Sequence, residues 1–556
     1  MNEEILNIVK ERGLLLEKEI FDLLNSFDSP LIAKEFLVNL EKISGQKIIT
    51  KAILNKNIEY IRKAVNLLPG ENKTSIEMVC VKLGISLEIM KEKSTFEAEE
   101  NHRGIINNEE IKKERSLGNF QIFYADTKNS KKLDVGDFIN NFRSRYQQLQ
   151  RILMQRADLQ NLVSISKISS ERQNLSIIGI LTDKRITKNK NIILTLEDLT
   201  GSISALIKFD GKELFEKADE IQLDDVVALK CSGNRDLLFA HEIYFPDAFI
   251  HQKARFNEDI SIAFLSDIHC GSKKHLSKSF EKLLAWLNSD DENAKKIRYI
   301  FFSGDNVDGV GIFPGQEHLL ELKSMKEQYL LLASYLKRIP NYITMFMCPG
   351  QHDASRVAEP QPIIDRKYAE PLYHIENLIL VTNPALIKLL EKENEFKVLM
   401  YHGASIHSFI NEIKELREFK AHRCPAKAVK HMLKRRHLAP THSSSLYIPN
   451  ADKDPLVISD VPDIVCTGEV HRLDIDSYNN ILIITGSCWQ AQTDFEEKVG
   501  NIPDPAKLPV LNLKTRELKI FDFGVEEEIL KVNKRMIVDE EAVEEEGEDQ
   551  EEEGEI

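Results

Sequence analysis

Five apolar runs between residues 260 and 471 end in side chains that can do chemistry. ISIAFLSDIH delivers Asp267 and His269, RYIFFSGDNVDG delivers Asp305 and Asp308, and YITMFMCPGQHD delivers Gln351, His352 and Asp353; FKVLMYHG delivers His402, and VPDIVCTGEVH delivers Glu469 and His471. A lone DxH, or a lone histidine after a strand, is weak evidence. Recurrence behind five successive runs is hard to obtain from scattered core residues, because it places every polar group at the same kind of position. Carboxylates and imidazoles converging on one edge suit hard to borderline divalent ions such as manganese, iron, zinc or magnesium. Two such ions about 3.5–4 Å apart, sharing one carboxylate, can clamp a phosphodiester and activate a water for in-line attack. The chemistry indicated is phosphoester hydrolysis.

The elements that must position these residues are buried strands, with the functional loops at their C-terminal ends as in layered α/β folds. With the sixth run NILIITGSCWQ they define an α/β domain over residues 256–530. Upstream, DFINNFRSRYQQLQRILMQ predicts an amphipathic helix with Arg143, Arg145, Arg151 and Arg156 on or near it, of the kind that usually presents a solvated face. The segments LSIIGILTDKRITKNKNIILTLEDLTGSISALIKF, LDDVVALKCSGN and LLFAHEIYFPD alternate in short strands with Lys/Asn turns, the pattern of a five-stranded OB barrel within 137–250. Such barrels bind single strands through aromatic platforms, and these strands are poor in aromatics, which favours a structural or interface role. Residues 1–72 show helical periodicity and predict a small docking module. Residues 73–136 read as a polar, largely disordered linker, and 539–556 as a disordered acidic tail.

The length of 556 residues exceeds a single core and implies several domains. The net charge of −15 is concentrated: Asp539 to Ile556 carries 12 acidic residues and no basic one, leaving about −3 for the rest, so nucleic acid is not excluded as a partner. Seven cysteines without a CxxC pair argue against a zinc ribbon and a disulfide framework. No apolar run approaches the roughly 18–20 residues that span a bilayer, and MNEEILNIVKERG is charged and helical rather than a signal peptide, so the expectation is a cytoplasmic protein without membrane contact. Nothing offers the acidic scaffold of a polymerase palm or a P-loop.

The order DxH, GDxxD, G(N)HD, YHG and GxxH resembles the calcineurin-like metallophosphoesterases. LSDIHCGSK, SGDNVDGVGIFPGQ, PGQHDASRVAEPQP, HMLKRRHLAP and GSCWQAQT narrow the resemblance to the small subunits of archaeal family D DNA polymerases, from the barrel to about residue 510. That resemblance implies a first metal held by Asp267, His269, Asp305 and His471. It implies a second that shares Asp305 and uses His402, with the positions of the family's Asn and first GHxH histidine occupied here by Gln351 and Glu469. His352 takes the place of the imidazole near the leaving group, with Asp353 orienting it. Two divalent ions, manganese or magnesium, are implied, together with DNA, the sliding clamp and a large catalytic subunit as partners. In that family the large subunit synthesises and the small one removes 3′ ends as a proofreading exonuclease. The alternative is a non-catalytic scaffold subunit with an impaired site, since Gln351 sets its carbonyl one methylene further out and Glu469 exchanges a neutral nitrogen for a charged oxygen.

Two further features carry less. Lys434, Arg435 and Arg436 in HMLKRRHLAP are of the type that contacts DNA phosphates, and equally of the type that ends a solvated helix. Trp489 after GSC reads as packing beneath the site rather than stacking a base.

Overall fold

The computed structural model describes residues 118–127, 132–442, 444–498 and 500–525, with short N-terminal pieces at 9–10, 13–16, 38 and 48–49. Residues 1–102 form one unit and 103–556 another. In the first, strands β1 (Leu15–Leu16) and β2 (Ile48–Ile49) pair in parallel. The rest of the helical module expected over 1–72, most of the linker and the acidic tail lie outside the described residues.

The second unit begins inside the expected linker, with strand β3 (Phe120–Tyr124). A helix follows over Val135–Leu153, two residues earlier than its apolar period suggests. Asp134 caps it, accepting from the Asp137 amide at 3.2 Å while the Asp137 carboxylate accepts from the Asp134 amide at 3.0 Å. Five strands then close a barrel: β4 (Gln173–Ile186), β5 (Ile192–Asp198), β6 (Gly201–Ile207), β7 (Val226–Gly233) and β8 (Leu238–Tyr244). Their order is β4-β5-β6-β8-β7, and a helix at Lys212–Glu220 links β6 to β7. Alternate residues such as Ile192, Leu194 and Leu196 fill the interior. The LTG corner turns because Asp198 accepts from the amides of Thr200 and Gly201.

The remaining strands are β9 (Ser261–Leu265), β10 (Ile297–Ser303), β11 (Thr344–Cys348), β12 (Leu378–Leu380), β13 (Ala385–Glu391), β14 (Asn394–Met400), β15 (Ile464–Thr467), β16 (Asp474–Tyr478), β17 (Ile481–Thr485), β18 (Lys507–Asn512) and β19 (Leu518–Asp522). They form two six-stranded sheets, β12-β11-β10-β9-β18-β19 and β16-β17-β15-β14-β13-β3. Strands β9, β11 and β15 are buried at every position, and β10 and β14 over the halves that lead into the site, because both faces are covered there. Ile262, Phe264, Phe301 and Phe346 point into the layer between the sheets and meet Val398, Met400, Ile464 and Ile484. Their neighbours Ala263, Leu265, Ile300, Phe302, Met345 and Met347 point the other way, onto helices Ser277–Leu287 and Met325–Leu336. Leu399, Val465 and Ile483 cover the outer face of the second sheet against helices Ile406–Glu412 and Ala426–Arg435. The result is a four-layer mixed α/β sandwich. Burying each large side chain here contributes roughly 1.5–3 kcal/mol.

Strand β3 pairs antiparallel with β13, so residues 118–127 belong to the sandwich and not to a linker. Phe120 is fully buried and meets Phe346 edge-on, with ring centroids 5.0 Å apart.

The basic triplet is also placed differently from its reading as a DNA contact. Arg435 is buried between barrel and sandwich, its Nε 3.0 Å from both carboxylate oxygens of Asp225. Lys434 pairs with Glu220 at 2.5 Å. Arg436 donates to the carbonyls of Ile458 and Ser459 at 2.6 and 2.8 Å. All three cations are held by partners within the chain: Lys434 and Arg435 by carboxylates of the barrel where it docks, and Arg436 by carbonyls of the sandwich. Arg145 is likewise buried, 2.8 Å from Asp454, rather than on a solvated face.

Candidate metal centre

The C-terminal ends of β9, β10, β11, β14 and β15 meet in one place. Asp267 and His269 follow β9, Asp305 and Asp308 follow β10, Gln351 and His352 follow β11, His402 follows β14, and Glu469 and His471 follow β15. Asp267, His269, Asp305, Glu469 and His471 all have positive φ, from 48° to 73°. Left-handed backbone costs a non-glycine residue of order 1–3 kcal/mol, and such strain gathers at sites where it aims a side chain. Gly350 permits the close approach, since a Cβ there would overlap the Asp305 carboxylate.

Four imidazoles share one arrangement. His269 Nδ1 is 3.0 Å from Asp308 Oδ1, His352 Nδ1 is 2.7 Å from the Asp308 carbonyl, His402 Nδ1 is 2.7 Å from the Ser303 carbonyl, and His471 Nδ1 is 3.0 Å from Glu496 Oε1. Every one of these partners is an acceptor, so each Nδ1 carries the hydrogen and each neutral ring keeps its lone pair at Nε2. Those lone pairs converge. His269 Nε2 and His471 Nε2 stand 3.1 Å apart, and His402 Nε2 is 3.3 Å from Asp305 Oδ2 and 3.1 Å from Glu469 Oε2. His471 Nε2 is 3.6 Å from Asp267, and His352 Nε2 is 3.9 Å from Asp305. Asp267 Oδ2, Gln351 Oε1 and His402 Nε2 are buried without a hydrogen-bond donor.

Acceptors facing acceptors require a cation between them or protons on the rings. The donors group as Asp267-His269-His471, His269-Asp305-His352 and Asp267-Asp305-His402, each within 4.8 Å, and this mixed nitrogen and oxygen set fits divalent transition ions. The charges respond accordingly. Burial opposes ionisation of Asp305, yet the imidazoles of His402 and His352 hold its carboxyl well below the usual carboxylate range. Burial pulls His471 down, but Glu496 and Asp267 outweigh it and push the ring up to about 9. His352 is raised in the same way, with Asp305 overcoming burial. Burial disfavours the Glu469 carboxylate, and the His402 ring, when protonated, reverses this and lowers its carboxyl below the ordinary range.

Asp353 does not orient His352. Its Oδ2 accepts from the Asn306 amide and side chain and from the Gly350 amide, and its Oδ1 from the Tyr329 hydroxyl, so it ties the β10 and β11 loops together. Asp308 orients His352 instead, through its main-chain carbonyl. Asp308 stands in the GDNVDG motif, where an acidic residue after the ligand was the available signal. Glu496, which fixes His471, had none, because it lies far downstream on a short helix. His407, 3.8 Å from Glu469, was also missed. Trp489 is fully buried against Phe280 and Phe523, packing beneath the site as expected.

The cluster forms the floor of a cleft of about 1030 Å³. Phe313, Pro314 and Leu319 line one part of it, and His407, Asn411 and His422 another. No helix among the described residues is long and apolar enough to cross a membrane.

Comparison with known proteins agrees with this architecture. The family model of the B-type subunits of DNA polymerases alpha and epsilon matches residues 262–473. The DNA polymerase II small subunit of Pyrococcus furiosus is 36% identical over 402 residues, 70% of this chain and 64% of that protein, so the chain spans slightly less than two thirds of this relative's length. The protein of the same name from Methanothermobacter thermautotrophicus is 35% identical over 70% of this chain and 80% of its own. That from Thermoplasma acidophilum is 30% identical over 74% and 83%. With relatives 30–36% identical and the chain spanning 80% and 83% of two of them, the chain belongs to the family of archaeal DNA polymerase II small subunits, the small subunits of family D.

Proposed function

We propose that this chain is the nuclease-bearing small subunit of a heteromeric DNA polymerase, removing nucleotides from single-stranded or frayed 3′ ends while a large subunit performs synthesis. The observation that carries this reading is the convergence of the Nε2 atoms of His269, His402 and His471 on buried carboxylates, with His352 beside them, at the floor of an open cleft. Asp267, His269, Asp305 and His471 would hold a first divalent ion, and Asp305, Gln351, His402 and Glu469 a second, with manganese or magnesium suiting the donors. When bound, such ions neutralise the phosphate and lower the pKa of an attacking water. Asp305 would be common to both sets, and the imidazoles around it keep its carboxylate ionised.

His352 hydrogen-bonds the Asp308 carbonyl through Nδ1 and presents Nε2 toward the cleft. Its raised basicity lets Nε2 hold a proton and pass it to the departing 3′ oxygen as the terminal phosphodiester is cut. A nucleoside 5′-monophosphate leaves. The closed barrel, with its β4-β5-β6-β8-β7 order and its helix before β7, we read as an OB-fold serving as an interface element, since Arg435 and Lys434 fasten it to the sandwich. DNA and the sliding clamp are the further partners of this reading.

One observation favours the scaffold alternative: the Glu469 carboxylate lies 3.1 Å from His402 Nε2, where a proton on that ring pairs with it and leaves no need for a second cation. The full chain with Mn²⁺ on a 3′-labelled single strand separates the two. We expect metal-dependent mononucleotide release by the wild type, a loss of roughly 10²–10⁴-fold in His352→Ala, and a comparable or larger loss in Asp305→Asn. Equal, metal-independent activity in all three, or none in the wild type, refutes the nuclease reading.

A further inference from the structure

The loop after β10 exposes apolar surface where a soluble protein normally hides it. Val310, Ile312, Phe313 and Leu319 are 43%, 39%, 44% and 38% exposed within ten residues. The loop is nevertheless held firmly. Gln316, fully buried, donates to the Asp308 carbonyl at 2.8 Å and accepts from the Ile312 amide at 2.9 Å. Gln328, also fully buried, accepts from the Gly309 amide at 2.9 Å and donates to the Gly309 carbonyl at 3.0 Å. Gly309 itself has φ +76°, and a Cβ there would lie 2.5 Å from the His352 carbonyl, so the loop is keyed to the backbone of the proposed acid. Two buried amides bracing a loop that displays an aromatic ring indicate that the ring's position matters.

That position is on the cleft wall. Phe313, Pro314 and Leu319 line the cleft whose floor is the imidazole and carboxylate cluster. Opposite in character are His407 and His422, with ring centroids 5.4 Å apart, and Asn411, which offer hydrogen bonds rather than apolar surface. An apolar, aromatic wall continuous with a phosphoester floor matches the two chemistries of a nucleotide, a π face and an anion. A cleft of about 1030 Å³ lies at the upper end of the roughly 300–1,000 Å³ typical of ligand pockets and has room for an extruded nucleotide.

We propose that Phe313, with Pro314 and Leu319, is a nucleobase subsite: it stacks the unpaired base of the terminal nucleotide of a DNA strand while the adjoining phosphate lies over the metal-ligand floor. The placement of that phosphate rests on the function proposed above; the stacking surface does not. Stacking on a ring is tolerant of sequence, so the subsite selects unpaired ends over paired ones without reading which base they carry.

The test couples the ring to the base. The full chain in Ca²⁺ is titrated with a single strand bearing 2-aminopurine at its 3′ end, and in competition with the same strand ending in an abasic residue. The wild type is expected to quench the 2-aminopurine and to bind the base-bearing end roughly tenfold more tightly than the abasic one. In Phe313→Ala that ratio falls toward one, and in Phe313→Tyr it is retained. An unchanged ratio in Phe313→Ala, or a ratio of one in the wild type, overturns the proposal and leaves the patch to a protein partner. Hydrolysis in Mn²⁺ is scored separately: a coupled ring and base without cleavage sustains the subsite and sinks the exonuclease, and cleavage without coupling does the reverse.

Discussion

Asp308 orients two imidazoles at once, His269 through its carboxylate and His352 through its carbonyl. Partners that fix the tautomer of a ligating histidine typically govern metal affinity or activity by about 10–100-fold. Asp308→Ala removes the side-chain acceptor and keeps the main-chain carbonyl, so Mn²⁺ affinity is expected to fall within that range by calorimetric titration. An affinity equal to wild type would mean that His269 needs no such partner. The seven positions read as candidate ligands were legible because each follows an apolar run. The residues that orient them were not, since Glu496 and Ser303 act through a fold that sequence spacing does not encode. Asp353 was misread for the same reason: adjacency to His352 in sequence suggested contact, while its carboxylate turns away to the loop amides.

The helix Val135–Leu153 shows how an element is fixed by a few buried polar groups. Arg145 and His437 both reach Asp454 Oδ2, at 2.8 and 3.1 Å, and the Ala439 amide donates to His437 Nδ1 at 3.0 Å. His437 is thus a satisfied neutral ring, and burial together with Arg145 lowers its pKa to about 4. Between that value and the ordinary 6.5 or so, the unfolded chain binds the proton that the folded one refuses, so stability falls as pH drops through this window. The difference amounts to about 3 kcal/mol at pH 4. Thermal melts at pH 7 and pH 4.5 should show a larger drop for the wild type than for His437→Asn; equal drops would show that this ring does not titrate on unfolding. The helix was legible from its period; its start and its cap at Asp134 were not, because the first turn adds no residue to the apolar stripe. Strand β3 was not, because FQIFY is a short apolar run in polar sequence and only its partner β13 makes it a strand.

At the scale of the molecule, barrel and sandwich are joined by charge that composition had pointed outward. Arg435 lies between Asp225 on the barrel and the Phe409 and Phe245 rings, at 5.8 and 5.3 Å. Removing one partner of a buried pair costs about 3–5 kcal/mol because the other charge is stranded. Arg435→Ala is therefore expected to lower the unfolding free energy measured by urea titration by an amount in that range, with Asp225→Ala similar. The double variant Arg435→Met/Asp225→Leu should recover most of it. No recovery would show that the pair is not what couples the two domains. The layered fold and the barrel were legible from strand periods and turn chemistry. Their mode of docking was not, since a basic triplet at a helix end looks alike in sequence whether it meets a phosphate, water or a neighbouring domain.

The most direct measurement is anomalous diffraction from Mn²⁺-soaked crystals of the full chain, collected at the manganese edge. Two peaks are expected, one among Asp267, His269 and His471 and one among His402, Gln351 and Glu469, with Asp305 between them. A single peak at the first position, with the Glu469 carboxylate filling the second, or no peak at all, would contradict a two-metal phosphodiesterase centre.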